Sequence, residues 1–173
     1  MVHVTAYTDG SANVKSRLGG IGVYLYFDHD GKRIEDTQSV GFSNTKTGRM
    51  EILAMIHALA RVNPDTRQRT KIVVFSDSQY VVNSVMQRWV WNWKQTEGLE
   101  NRANGDLWEL FLKVYDTYPR GHVHLKWVKG HAGILGNEIA DMLAGEAYRG
   151  GDYRPDTHVV FSDGKLAYEQ QAN

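Results

Sequence analysis

The chain has 173 residues, 42% of them hydrophobic, which suits one domain with a real core. Lys plus Arg and Asp plus Glu stand at 20 each, so no global charge recruits a polyanion, and any such partner must be met by a local patch. The absence of cysteine excludes disulfides, thiolate metal ligands and thiol nucleophiles. Residues 2–9 alternate, with Val2, Val4 and Ala6 on one side and His3, Thr5, Tyr7 and Asp9 on the other; a strand ended by Asp9-Gly10-Ser11 is predicted. A second alternation from Gly19 to Phe27 leads into Asp28-His29-Asp30-Gly31, a hairpin turn, and a return strand runs through Ile34 to about Phe42. Thr47 can then cap a helix with an apolar stripe of Ile52, Met55, Ile56, Leu59 and Ala60, closed by Pro64; Glu51 falls in its first turn. Residues 72–76 are continuously apolar up to Ser76, as expected of a strand buried on both faces, and Asp77-Ser78-Gln79 opens the next helix. Trp89, Trp91 and Trp93 crowd a short segment before the polar loop Gln95–Asn104. A helix carrying Leu107, Leu110, Phe111, Val114 and Tyr118 follows, stopped by Pro119. Residues 122–128 alternate again, with Val123, Leu125 and Trp127 expected inward, and a last helix ends near Gly150.

The order β-β-β-α-β-α-α-β-α predicts an α/β fold: a three-stranded meander continued by helix-linked parallel strands, with helices on the sheet's faces. One domain over residues 1–150 is expected. Residues 151–173 form a polar extension in which Thr157–Phe161 can add a short strand. The first residues lack a basic start and an apolar run of signal-peptide length, and no stretch approaches the roughly 18 apolar residues a bilayer span needs. A cytoplasmic monomer without membrane contact is the expectation.

The stretch from Trp127 to Asp141 combines three glycines (Gly130, Gly133, Gly136) with His131 and then opens a helix carrying Asp141. Glycine at that density puts His131 on a loop tip. Ile139, Met142 and Leu143 recur at core spacing, so Asp141 is expected on the opposite face, beside Asn137, Ala140 and Ala144. Alone, the stretch reads equally as a capped helix with a solvated histidine. Asp9 and Asp77 end strands, and Glu51 and Asp141 begin helices. In open α/β sheets the site lies beyond the carboxyl ends of the strands, where these acids can meet. Each acid alone is as readily a turn former or helix cap. Four together, with only one loop histidine nearby, suit a hard cation such as Mg²⁺ or Mn²⁺ bound with a phosphate, and not zinc.

Thr8-Asp9-Gly10-Ser11, Arg49-Met50-Glu51, Ser76-Asp77-Ser78-Gln79-Tyr80, Asn92-Trp93-Lys94, Asp106-Leu107-Trp108 and Lys129-Gly130-His131-Ala132-Gly133 through Asn137-Glu138 to Asp141 resemble ribonuclease H of type 1, the bacterial kind, over about residues 3–148. The resemblance implies a ribonuclease H-like fold, a mixed five-stranded sheet in order 3-2-1-4-5 with helices on both faces. It also implies endonucleolytic hydrolysis of the RNA strand of RNA–DNA hybrids by two metal ions, Mg²⁺ with Mn²⁺ able to substitute, leaving 5′-phosphate and 3′-hydroxyl ends. Carried over by position, Asp9 bridges both ions, Asp141 shares the one that activates water, and Glu51 and Asp77 hold the one at the leaving oxygen. His131 assists proton transfer or product departure. The family's RNA contacts fall near Gly10, Ser11, Glu51 and Gln79; its DNA-gripping positions match Trp89, Trp93 and Asn104. Trp91 has no counterpart and reads as packing.

Three departures stand out. The loop after the first strand is Val14-Lys15-Ser16-Arg17-Leu18-Gly19-Gly20, with two basic residues where the family has Gly-Asn-Pro-Gly-Pro-Gly-Gly. Lys46-Thr47-Gly48 replaces Thr-Asn-Asn before Glu51, which sets Lys46 where a threonine usually meets a DNA phosphate. The loop Gln95–Asn104 carries Glu97 and Glu100 against Arg102, where relatives are often strongly basic. A catalytically silent hybrid-binding module and a junction-resolving nuclease of the same fold are the competing readings.

Overall fold

The alternating N-terminal half folds as a continuous antiparallel meander in the computed structural model, which describes residues 1–169; residues 170–173 of the expected extension lie outside them. Strands β1 (Val2–Ala12), β2 (Gly19–His29) and β3 (Lys32–Ser43) pair in sequence. The β2–β3 turn is two residues long, with Asp30 at φ 51° and Gly31 at φ 74°, the positive pair whose twist matches a hairpin. Strand β4 (Thr70–Ser76) joins β1 in parallel and β5 (Val123–Trp127) joins β4 in parallel, which gives the expected five-strand order. A short strand β6 (Tyr153–Pro155) adds to β3, so the sheet has six strands in order β5-β4-β1-β2-β3-β6.

Helix α1 (Thr47–Arg61) is buried along almost its whole length, because α4 (Gly105–Tyr115) lies over the side turned away from the sheet. Its burial therefore extends beyond the expected stripe to Leu53, Ala54 and Ala58. Helix α2 (Gln79–Met86) is separated from α3 (Trp89–Thr96) by Arg88 in the left-handed region at φ 60°. No glycine or proline marks that break, which is why α3 was not foreseen as a separate helix. Trp91 packs edge-on against Phe111 and Tyr115, as a packing residue should.

Helix α5 (Leu135–Arg149) covers the opposite face of the sheet, but not through the stripe that hydropathy suggested. Gly136, Asn137, Ala140, Leu143, Ala144 and Ala147 are buried, whereas Met142 is exposed. The cause lies in β2: a Cβ on Gly22 would collide with the Ala140 carbonyl and the Ala144 amide, and one on Gly20 with the Ala144 carbonyl. Glycine lets the helix backbone settle directly on the strand, so the small-residue face packs. Strand β4 is buried on its core face only; Val73 and Phe75 on the other are half-buried, since α5 packs on β1, β2 and β3.

The described part of the extension carries regular structure. A hairpin of β7 (Val159–Ser162) and β8 (Lys165–Tyr168) follows β6. The added strand expected over Thr157–Phe161 thus begins two residues later and pairs with β8, outside the main sheet. Tyr168 Oη lies 2.7 Å from His57 Nε2, and His57 Nδ1 lies 2.9 Å from the Leu53 carbonyl. Burial holds the His57 imidazole down to about 4, so it stays neutral. Among the described residues, no helix is long and apolar enough to cross a membrane.

Candidate active site

Strand register brings the acids together. Asp9 pairs with Gly22 across β1 and β2, and Gly22 is the position on which the Ala140 backbone rests; the next residue of α5 is Asp141. Thr8 pairs with Ser76, so Asp77 emerges from β4 beside Asp9. Gly10 faces the other side of the sheet, where a Cβ would collide with the Met50 carbonyl and the Glu51 amide; this close approach brings Glu51 to the same sheet end. Glu51 lies in the second turn of α1, and Asp141 is the seventh residue of α5, so both sit deeper in their helices than expected. Thr47 does not cap α1. Lys46 occupies that position without a side-chain cap, and Thr47 Oγ1 instead accepts from the Ala12 amide at 3.1 Å, linking α1 to the end of β1.

The electrostatics record this crowding. Burial first, then the Asp77 charge and the neighbouring Asp141 carboxyl, push Asp9 up to about 8; a hydrogen bond from the Gly10 amide opposes this. Burial raises Glu51, against the help of the Ser78 hydroxyl and together with the charge of Asp77. Asp77 is also raised by burial, although the Asn137 amide and His131 both favour its carboxylate. Asn137 is buried and its Nδ2 lacks a partner within hydrogen-bond geometry, so the amide faces Asp77 without closing on it.

Among the described residues, no three His, Asp or Glu side chains close into a cage able to hold a metal ion alone. The carboxylates couple in pairs instead: Asp9 with Asp141, Asp9 with Asp77, and Glu51 with Asp77. An all-oxygen set of this kind, in which burial and then like-charge neighbours raise Asp9, Glu51 and Asp77, fits a hard cation that draws its remaining ligands from water and a phosphate.

His131 sits exposed above this cluster at φ 56°, in a loop whose Gly130 backbone lies against the Asp77 carboxylate. Ser11, Lys46, Thr47 and Gln79 are exposed around the same end of the sheet, with Lys15 and Arg17 exposed in the rebuilt loop. The Asn13 side chain organises that loop by accepting from the Lys15 and Ser16 amides, both at 2.9 Å. Trp89 is 41% exposed, whereas Trp93 is only 8% exposed beneath Arg102, whose guanidinium lies 3.9 Å from the ring centroid. Asn104, in the left-handed region at φ 62°, precedes α4 and is partly exposed. The tryptophans and Asn104 thus form a second cluster around α3 and its loop, separate from the acids.

Two residues near the acids escaped the sequence pattern. Trp127 is 46% exposed, not inward: its indole Nε1 donates to the Asp77 carbonyl at 3.1 Å and ties the end of β5 to the start of the Asp77 loop. Alternation alone could not foresee this, because the strand ends there. Ser78 caps α2 by accepting from the Val81 amide while facing Glu51; the run Asp77-Ser78-Gln79 marked the helix start but not that contact.

A family model described as RNase H matches residues 1–149. Ribonuclease H of Pseudoalteromonas atlantica is 37% identical over 160 residues, covering 90% of this chain and 97% of the relative. Ribonuclease H of Desulforamulus reducens is 35% identical over 145 residues, 82% of this chain and 84% of the relative. Among solved structures, LC9-RNase H1, described as a type 1 RNase H with the type 2 active-site motif, superposes with a TM-score of 0.74 at 27% identity, covering 98% of this chain and 78% of that one. Six-stranded mixed sheet, helices on both faces and matching sequence together lead to one statement: the chain belongs to the ribonuclease H family.

Proposed function

We propose that the chain hydrolyses the RNA strand of RNA–DNA hybrids endonucleolytically, leaving 5′-phosphate and 3′-hydroxyl ends. The observation that carries this reading is the convergence of Asp9, Glu51, Asp77 and Asp141 from four elements on one sheet end, with Asp9 pushed up to about 8 by burial and then by the Asp77 and Asp141 carboxyls. A pure binder of a polyanion has no use for four converging acids aimed at a phosphate backbone. Two Mg²⁺ ions, or Mn²⁺ in their place, would be held by Asp9 with Asp141 and by Asp9 with Glu51 and Asp77; bound, they supply charge stabilisation at the attacking and leaving oxygens of an in-line displacement.

The chain's own residues do the rest. Asp9 and Asp141 face the side from which water attacks and accept its hydrogen bonds. Glu51 is kept near the leaving 3′ oxygen by α1 and the Ser78 hydroxyl. His131, on an exposed loop beside Asp77, passes a proton to or from water at the edge of the site. Gly10, Ser11 and Gln79 contact ribose on the RNA strand, where the 2′-hydroxyl distinguishes RNA from DNA. Lys46 and Thr47 meet a DNA phosphate, and Trp89, Trp93 and Asn104 lie along the DNA strand. Residues 1–150 form the catalytic domain and 151–173 an extension of it. The test is cleavage of an end-labelled hybrid beside double-stranded RNA and double-stranded DNA with Mg²⁺ and with Mn²⁺. Cleavage of the hybrid's RNA strand alone supports the reading; binding without cleavage under either ion contradicts it.

A further inference from the structure

Below the acids, the same face of the sheet is open and differently built. Strand pairing sets its outward side chains in rows: Asp9 beside Asp77, then Tyr7–Phe75–Lys126, then Thr5–Val73–His124, then His3–Lys71. Helix α5 covers β1 to β3 on this side and leaves β4 and β5 uncovered. His3, Lys71, His124 and Lys126 are exposed, and Thr5, Val73 and Phe75 are half-buried. Tyr7, whose ring lies against Gly136 of α5, stacks on Phe75 at 4.8 Å between centroids with 16° between planes, and so backs Phe75 as an aromatic surface next to Lys126. Apart from Asp9 and Asp77 at the top, the outward positions of β1, β4 and β5 hold no acid. On β2 and β3, the flanking Asp28 and Glu35 are engaged by Arg33 and by the Tyr24 hydroxyl.

A basic strip with aromatic and apolar side chains between its charges matches the chemistry of unpaired nucleic acid, whose phosphates take the cations while the bases take the rings. Overall charge is balanced, so this local separation of acid and base along one face is the feature that needs an occupant. The rows run directly from the two acids, and six residues of strand span on the order of 20 Å, room for a few nucleotides. The strand that continues from the acids is the one being cut. We propose that the open face of β4 and β5, along the uncovered edge of β1, binds single-stranded RNA continuing from the hybrid's RNA strand, so that hybrids with an unpaired RNA tail are preferred. The proposal rests on the hybrid-cleavage reading.

The experiment compares a blunt hybrid with hybrids of the same duplex bearing a tail of roughly eight nucleotides, within the span one single-strand module covers, on either end of the RNA strand or on the DNA strand. Binding is read by fluorescence anisotropy in EDTA and cleavage by initial rates with Mg²⁺. An RNA tail at one end should tighten binding roughly tenfold, as a stacked base and two phosphate contacts would. The double variant Lys71→Glu, Lys126→Glu should abolish that gain and leave binding and cleavage of the blunt hybrid unchanged. The double variant Lys71→Ala, Lys126→Ala should make the salt dependence of tailed binding shallower by about 1.4 log units per log unit of salt, the share of two single-strand phosphates. No gain from any tail overturns the proposal. So does equal loss on blunt and tailed hybrids, or an equal gain from the DNA-strand tail. If the blunt hybrid is neither bound nor cut, the hybrid reading fails first and takes this inference with it; if it is cut and tails change nothing, only the inference fails.

Discussion

Asp9 is the residue whose environment differs most from water: it is buried, hydrogen-bonded to one amide and faced by two other carboxyls. Its folded value near 8 lies well above the unfolded value of about 4. A raised acid stabilises the fold fully below pH 4, and that contribution is lost as pH rises through 8. Without divalent ions, Asp9→Asn should therefore raise stability at pH 8 by roughly 1 kcal/mol or more, the worth of about one pKa unit, and flatten the fall in melting temperature between pH 5 and 9. It should also remove nearly all cleavage. A variant that keeps more than about a tenth of the turnover contradicts the assignment, as does one that unfolds at pH 8. His131 is a different case, exposed and held by no carboxylate in the way a ligand is. His131→Ala should lower turnover by roughly 10²-fold, the low end of acid–base effects, with ion affinity by calorimetry nearly unchanged. His131→Asn serves as the backbone control, since asparagine tolerates the positive φ found there. Loss of a bound ion in His131→Ala would make it a ligand after all.

Elements were readable where side-chain character decides, and unreadable where backbone contact does. Asp9 and Asp77 stand out because each ends a strongly patterned run, and the β2–β3 turn because Asp30-Gly31 suits positive φ. The face of α5 was misjudged because glycines on a neighbouring strand, invisible to the helix's own periodicity, decide what packs. The α2–α3 break was missed because Arg88 adopts a conformation its residue type does not announce. The loop between α3 and α4 shows what composition could state and what needed geometry. Its two glutamates and one arginine already implied weak attraction for a phosphate backbone. The structure adds that Arg102 is engaged, 3.5 Å from Glu97 and stacked on Trp93, so the loop offers no free cation. Replacing Glu97 and Glu100 by Lys supplies two cations and releases Arg102. The Michaelis constant for a hybrid should fall several-fold with turnover changed less than about twofold, because binding common to ground and transition states moves the first and not the second. The gain should shrink as salt rises. An unchanged Michaelis constant at both low and high salt would mean the loop does not approach the substrate.

At the scale of the whole molecule, the extension that composition marked as polar is tied into the core by groups far apart in sequence. Asp156 is 2% exposed; it accepts from Thr45 Oγ1 at 2.6 Å and from Arg49 Nε at 2.7 Å, and Arg49 reaches Asp106 on α4 with its other nitrogens. Burial works against the charge of Arg49, yet Asp106 and Asp156 outweigh it and hold the guanidinium charged beyond its ordinary range. No local pattern could have shown this link, which joins residues 107 apart. It binds the segment after α5, the first turn of α1 and the start of α4 at one point, with Arg49 two residues before Glu51 on α1. Removing one partner of a buried pair leaves the other charge stranded, which costs about 3–5 kcal/mol. Because Asp106 remains with Arg49, Asp156→Ala should fall at the low end, about 3 kcal/mol, or a melting temperature lower by roughly 6–12 °C for a chain of this length. Asp106→Ala, whose carboxylate is half exposed, should cost far less. Turnover of Asp156→Ala at 25 °C should stay within about twofold of wild type, since the fold and not the chemistry bears the loss. Thermal melts and steady-state cleavage on the same preparations separate the two effects. If turnover collapses while the melting temperature holds, the link positions Glu51, and the extension belongs to the active site as much as to the core.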